Sequence, residues 1–302
     1  MKRFKKILVG LDLTAMDEIL IQKTVKIAQV LEIEKIYFVH VAKDLALSEE
    51  VASNYPDLMA PLDETIEQDI TNAVEKAGLP ENITFEVEAK EGNPMETVLK
   101  WARVKDVDLI IMGRKREKRG SGSLSKGTAQ KSPCSVLFVS EDHDDKNFDH
   151  IMVPIDFSSY SVLSLEFAQA ISNDPDKIKC YHIYEVPAGY TKTGKTFQEF
   201  SEIMLQNAKK DYQTFIKKHR LPAYECVFIR KSDRNRAKIL MKAAKKDGVD
   251  FIIIGSRGRT NSASLLIGSV AEKLINLNNK VPMLVLKEKG ENMRFLEALF
   301  RV

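Results

Sequence analysis

Eight short apolar runs punctuate the chain, and between them apolar residues recur every three or four positions. The runs are solid rather than alternating: ILVGL (7–11), IYFVHV (36–41), LIIMG (109–113), SVLFV (135–139), IMVPI (151–155), CYHIYEV (180–186), FIIIG (251–255) and MLVL (283–286). A strand with both faces covered reads this way, so the pattern predicts parallel sheets flanked by helices. The intervening periodicity predicts helices at 18–31, 94–105, 161–171, 197–212 and 235–246. Strand and helix alternate, which is the grammar of a doubly wound α/β fold.

The pattern is also written twice. FKKILVGLD (4–12) returns as FDHIMVPID (148–156), KIYFVHV (35–41) as KCYHIYEV (179–186), VDLIIMGR (107–114) as VDFIIIGSR (249–257), and PCSVLFV (133–139) as VPMLVLK (281–287). The first pair is offset by 144 residues; in the second pair His40 faces His182 at an offset of 142, and the third pair is also offset by 142. Four segments recurring in one order mean a duplicated domain. The predicted domains are 1–141 and 149–302, joined by the polar stretch SEDHDDKNFDH (140–150). The end of the chain, ENMRFLEALFRV (291–302), carries an apolar stripe of Phe295, Leu296, Leu299 and Phe300. It predicts a short amphipathic helix that docks on its own chain or on a second copy.

Composition narrows the function. The 46 basic residues barely exceed the 43 acidic ones, for a net charge of +3, so no nucleic-acid partner is expected. No apolar run is long enough to span a bilayer, so no membrane partner is expected either. The basic-then-apolar start, MKRFKKILVGLDL, is interrupted by Asp12 and reads as a strand rather than a signal peptide. Cys134, Cys180 and Cys226 are odd in number and far apart, which argues against disulfides or zinc and suits a reducing cytoplasm.

In an open α/β sheet the ligand crevice lies beyond the carboxyl ends of the strands, where the strand order reverses. Two segments of the second half end there. One is VPIDFSS, with Pro154 and Asp156; the other is IIIGSRGRTNSASLLIGSVAEKLI, which spaces its glycines as Gly255, two residues, Gly258, nine residues, Gly268, then Ser269. Glycines let a backbone approach phosphates closely, and a helix opening at Gly268-Ser269-Val270 offers N–H groups to an anion. The Ser269 hydroxyl can cap that helix or meet a phosphate oxygen. Arg257 and Arg259 supply positive charge, and Asp156 offers an acceptor to a ribose or adenine.

This glycine pattern after an apolar strand, together with PIDFS, resembles the universal stress protein family, and the resemblance covers nearly the whole chain as a tandem pair. It implies two five-stranded parallel domains, each Rossmann-like and similar to adenine nucleotide alpha-hydrolases, that pack as a pseudo-dimer within the chain; family members also dimerise through the last strand. It further implies ATP, with or without Mg, as the bound cofactor. By the resemblance, Pro154, Asp156 and Ile183 would line the adenosine end, while Gly255, Arg257, Gly258, Gly268, Ser269 and Val270 would hold ribose and phosphates. The alternative for the same residues is a glycine loop that merely turns the chain.

The first half departs from the pattern. Asp12 is kept, but Gly10 replaces the proline and Arg116 stands where Gly258 would be. Gly120-Ser121 is the preferred match for Gly268-Ser269, because Gly127-Thr128 leaves too few residues for a closing helix. The basic run RKREKR (114–119) reads as a solvated loop, and no ATP binding of the family type is expected here.

One stretch competes for the phosphates. GYTKTGKT (189–196) fits the P-loop pattern. It follows the second strand rather than the first, however, and its counterpart in the first half has no glycine. It reads as a surface loop, with Lys192 and Lys195 able to reach phosphates only if the loop folds over the crevice. His40 and His182 are repeat equivalents inside apolar strands and read as buried structural residues.

The sequence thus predicts a cytoplasmic, nucleotide-binding stress-response regulator rather than a dedicated enzyme, with ATP in the second half and an unknown protein partner downstream. An interaction scaffold without ligand, or a slow ATP hydrolase, are the alternatives. A pyrophosphatase-type ligase would need a glycine-rich loop after the first strand, where the chain instead reads DFSSYS and DLTAMD.

Overall fold

A computed structural model describes residues 4–43, 62–114, 121–141, 149–172, 174–259, 266–278 and 280–300. The chain forms two compact units. One comprises Lys2–Glu141 together with Glu288–Val302; the other runs over Asp142–Lys287.

In the first unit the strands are β1 (Lys6–Leu11), β2 (Lys35–Ala42), β3 (Thr84–Glu91), β4 (Leu109–Arg114) and β5 (Ser135–Ser140), and the helices are α1 (Met16–Val30), α2 (Leu62–Lys76), α3 (Pro94–Val104) and α4 (Ser121–Lys131). All strand pairs are parallel, in the order β3-β2-β1-β4-β5. Burial explains the solid runs: Ile7, Leu8, Val9, Ile36, Phe38, Val39, Ile110 and Ile111 lose essentially all contact with solvent. The edge strand β3 keeps most of its residues half-exposed, so its sequence, TFEVEAKE, has no such run.

The second unit repeats the plan with β6 (Ile151–Pro154), α5 (Ser159–Ser172), β7 (Ile178–Tyr184), α6 (Phe197–His219), β8 (Glu225–Arg230), α7 (Arg236–Lys246), β9 (Phe251–Gly255), α8 (Ser269–Leu277) and β10 (Met283–Leu286). Its parallel order is β8-β7-β6-β9-β10. The switch points lie between β1 and β4 and between β6 and β9, as the doubly wound reading requires.

Two small devices recur with the fold. The Asp of each Val-Asp pair caps the start of the neighbouring strand: Asp108 accepts the Lys5 and Lys6 N–H groups, both at 2.9 Å, and Asp250 accepts those of Asp149 and His150, both at 3.0 Å. His40 and His182 are both buried, and each ring meets the backbone at the end of the first strand, at Leu11 O (3.2 Å) and Ile155 O (3.0 Å). Their structural reading holds.

The predicted second domain extends to residue 302, yet the described residues 288–300 join the first unit. Lys289 reaches Asp106 at 2.8 Å and Asp108 at 2.9 Å. Gly290 donates to Pro133 O at 2.9 Å, and the Asn292 amide to Gln130 O at 2.8 Å. Helix α9 (Met293–Phe300) then packs on α3 with Leu296 fully buried. An amphipathic helix must cover its apolar face, and here the buried Asp108 carboxylate supplies a counter-charge for the approach. Replacing Leu296 with Ala should destabilise the chain by about 2–5 kcal/mol in urea unfolding. Amide exchange should then rise in residues 94–140 and stay unchanged in 151–278.

Candidate functional site

The crevice of the second unit is assembled around the end of β6. Pro154 pairs with Tyr181, and Ile155 still donates to Tyr181 O at 2.9 Å. The chain then turns sharply. Asp156 donates its N–H to Ser161 Oγ at 3.0 Å, and its Oδ1 accepts from Ser158 N (3.1 Å) and Ser161 Oγ (3.0 Å). Phe157 adopts φ +66°, a left-handed backbone that costs a non-glycine residue roughly 1–2 kcal/mol. Packing offsets that cost. The ring stacks on His182 at 4.4 Å, touches Phe215 at 5.5 Å and lies beneath the Arg259 guanidinium at 5.3 Å.

The exit of β9 closes over this turn. A Cβ at Gly255 would sit 2.4 Å from Tyr160 Cβ, so only glycine lets α5 lie against the strand end. A Cβ at Gly258 would sit 2.5 Å from Asp156 Oδ2. Its absence lets the Arg259 N–H reach that oxygen at 2.8 Å, while Arg259 Nε donates to the Asp156 carbonyl. The returning chain is pinned by Gly268 N to Ser256 O at 2.6 Å. Helix α8 then opens at Ser269 with Gly268 as N-cap, in extended backbone and without a side-chain cap. The Ser269 hydroxyl therefore does not cap the helix; Ser269 is the first helical residue, and the initial N–H groups have no intrahelical partner.

These segments enclose a cavity of about 590 Å³. All nine residues singled out in the sequence line it: Pro154 and Asp156 at the end of β6, Ile183 on β7, Gly255, Arg257 and Gly258 beyond β9, and Gly268, Ser269 and Val270 at the start of α8. Sequence reasoning missed several other walls. Tyr160 and Ser161 lie in the first turn of α5, and the DFSSYS context placed them near Asp156 without a role. Met204, Asn207, Ala208 and Asp211 come from α6 at helical spacing, and Arg236 opens α7. His182 also lines the cavity. Glu185 is held by Lys231 at 2.6 Å and Arg236 at 3.0 Å, and the Lys231 hydrogen bond keeps its carboxyl below the usual range.

GYTKTGKT folds as a turn followed by a helix cap. Ala188–Thr193 is a 3₁₀ turn, and Gly194 follows in left-handed backbone at φ +72°. Thr196 is the N-cap of α6, where a capping box joins its hydroxyl to Glu199 N at 3.2 Å and Glu199 Oε2 to Thr196 N at 2.8 Å. The threonine that would bind a metal in a P-loop is spent on starting a helix. Lys192 and Lys195 are exposed and do not line the cavity.

The first unit keeps the backbone and changes the chemistry. Leu13 repeats the left-handed turn at φ +55°. Met16 stands in place of Tyr160 and meets Gly113. Asp17 stands in place of Ser161 and accepts from Asp12 N at 3.0 Å and Leu13 N at 2.7 Å. Burial raises its pKa, and the neighbouring Asp12 charge adds to the shift. A second carboxylate beside Asp12 disfavours phosphates. Arg114, in place of Ser256, is buried beside the Phe138 ring, and burial pushes its pKa down to about 10. Helix α4 begins at Ser121, in the preferred register; Arg116, Gly120 and most of RKREKR lie outside the described residues.

Burial also lowers the His182 pKa below its ordinary 6.5. The native ring resists a proton that the unfolded chain accepts, so stability falls as pH drops through about 6.5. Unfolding free energies measured between pH 7.5 and 5 should show a shallower decline for His182→Phe than for the parent chain.

Comparison with known proteins agrees with the duplication. The chain matches the Universal stress protein family twice, over residues 3–140 and 147–287. It is 30% identical over 162 residues to Universal stress protein MJ0577 of Methanocaldococcus jannaschii, an alignment covering 47% of this chain and 97% of that protein. Among solved structures, a universal stress protein from Archaeoglobus fulgidus matches with a TM-score of 0.59 at 18% identity, covering 95% of this chain and 98% of the other. The functionally unknown PA1789 of Pseudomonas aeruginosa matches with a TM-score of 0.64 at 16% identity, covering 99% and 98%. Both share the fold along nearly the whole chain, and with two family matches in tandem the protein belongs to the universal stress protein family.

Proposed function

We propose that the second unit holds ATP and that nucleotide occupancy, rather than turnover, is the regulatory output. The observation that carries this reading is one cavity bringing together an uncapped helix N-terminus at Gly268–Val270, the Arg257 side chain and an apolar end formed by Pro154 and Ile183. The free N–H groups and dipole of α8 suit a phosphate. Gly258, where a Cβ would meet Asp156 Oδ2 at 2.5 Å, lets the loop backbone close down beside the cavity that would take the phosphates. Pro154 and Ile183 offer flat apolar contact to adenine. Magnesium accompanying ATP would be held mainly by the phosphates, since among the described residues no cluster of three ligating side chains occurs.

Holding without turnover is supported by the state of Asp156. Its carboxylate takes donors from Ser158, Ser161 and Arg259, which makes it an organiser of the loop rather than a base poised for water. Binding would favour the conformers that present the filled crevice, and so change what a protein partner meets. The first unit, with Asp17 beside Asp12, is proposed to bind no ATP in this manner.

The test is the nucleotide content of the purified protein, released by heat and separated by chromatography, together with that of Gly268→Arg. One ATP per chain, lost in the variant, is expected. No nucleotide, and no thermal shift with ATP and Mg²⁺, would overturn the reading and leave an interaction scaffold. Gradual appearance of ADP in the bound fraction would instead mark slow hydrolysis.

A further inference from the structure

We infer that Asp211, on α6, reads the 2′- and 3′-hydroxyls of the bound nucleotide, which makes the cavity selective for ribonucleotides over deoxyribonucleotides. The inference rests on the ATP reading above and extends it to a wall that neither glycine motif nor first strand provides.

A ribose diol presents two O–H donors and needs acceptors. Three carboxylates line the cavity: Asp156, Glu185 and Asp211. An ionised carboxylate offers about four lone-pair sites. Asp156 already receives Ser158 N, Ser161 Oγ and Arg259 N, which leaves too little for a diol. Each oxygen of Glu185 is engaged by a cation, Oε1 by Lys231 and Oε2 by Arg236. Among the described residues Asp211 makes neither hydrogen bond nor ion pair, and the same holds for Asn207 one turn before it. Both side chains are exposed to solvent at the cavity.

Their placement is fixed by the helix. Met204, Asn207, Ala208 and Asp211 follow the i, i+3, i+4, i+7 spacing of one helical face. The Thr196–Glu199 capping box sets where α6 starts. Immediately after Asp211, Tyr212 is buried and donates its hydroxyl to Tyr224 O at 2.7 Å, and Phe215 packs against Phe157. Asp211 therefore stands at the Asp156 end of the crevice. The charges acting on His182 agree: after burial and the Ile155 carbonyl come Arg259, Asp156 and Asp211. Asn207, with an amide that both donates and accepts, flanks the diol position from the preceding turn.

The experiment is calorimetric titration of the full chain with ATP, 2′-deoxy-ATP and 3′-deoxy-ATP, repeated on Asp211→Ala and Asp211→Asn. Each deoxy analogue should bind the parent chain roughly tenfold more weakly than ATP, the loss of one hydrogen bond to a charged acceptor. In Asp211→Ala the preference should shrink to within about twofold, because 2′-deoxy-ATP has no such bond to lose. Asp211→Asn keeps the side-chain volume and should fall between. A parent chain indifferent to the hydroxyls, or an Asp211→Ala variant that keeps the full preference, would overturn the inference while leaving ATP binding intact. A parent chain that binds none of the three would overturn the ATP reading itself, and this inference with it.

Discussion

The carboxylate of Asp156 is the acceptor around which the second unit's crevice is built. It stands at the end of a central strand, where the sheet's edges diverge and backbone groups lose their ladder partners. By gathering donors from the start of α5 and from the exit of β9, it ties together two segments 103 residues apart in the chain. The left-handed Phe157, the close packing at Gly255 and the missing side chain at Gly258 are all conditions for that convergence. Each is unfavourable or neutral alone. Together they hold an opening that a well-packed core would otherwise have filled.

Much of this was legible in the sequence because it follows from local rules. Strands β1, β4, β6 and β9 are buried on both faces, and burial leaves a solid apolar run. The glycine spacing of the second half is a local signal too, since Gly255 and Gly258 answer to contacts that no larger residue tolerates. Other features were hidden because they depend on distant partners. The edge strands β3 and β8 are half-exposed, so TFEVEAKE alternates apolar and polar residues instead of forming a solid run, and the apolar run in ECVFIR is only four residues long. The α6 wall of the cavity shows only as an ordinary helical stripe until β7 and α5 are in place. GYTKTGKT misleads for a related reason: glycine, lysine and threonine also serve turns and helix caps, and chain position alone does not separate the uses.

The two halves show which parts of such a domain resist change. The left-handed turn at Leu13 and Phe157, the histidines bonded at the end of the first strand, and the aspartates capping the strand starts recur in both units. These satisfy the backbone of the sheet, and losing one would leave a buried polar group without a partner. Tyr160, Ser161 and Ser256 line the cavity of the second unit, and it is at these positions that the first unit differs, with Met16, Asp17 and Arg114. A duplicated domain can exchange such residues freely as long as the framework bonds are kept.

The return of residues 288–300 to the first unit changes the order in which the molecule can be completed. In the linear chain the second unit is an insert, with the first unit's own residues on both sides of it. During synthesis the first unit emerges early, yet the surface that receives Leu296 stays uncovered until the whole second unit has been made. The half that begins first therefore finishes last, and its apolar flank is the part of the nascent protein with most to gain from a chaperone's shelter.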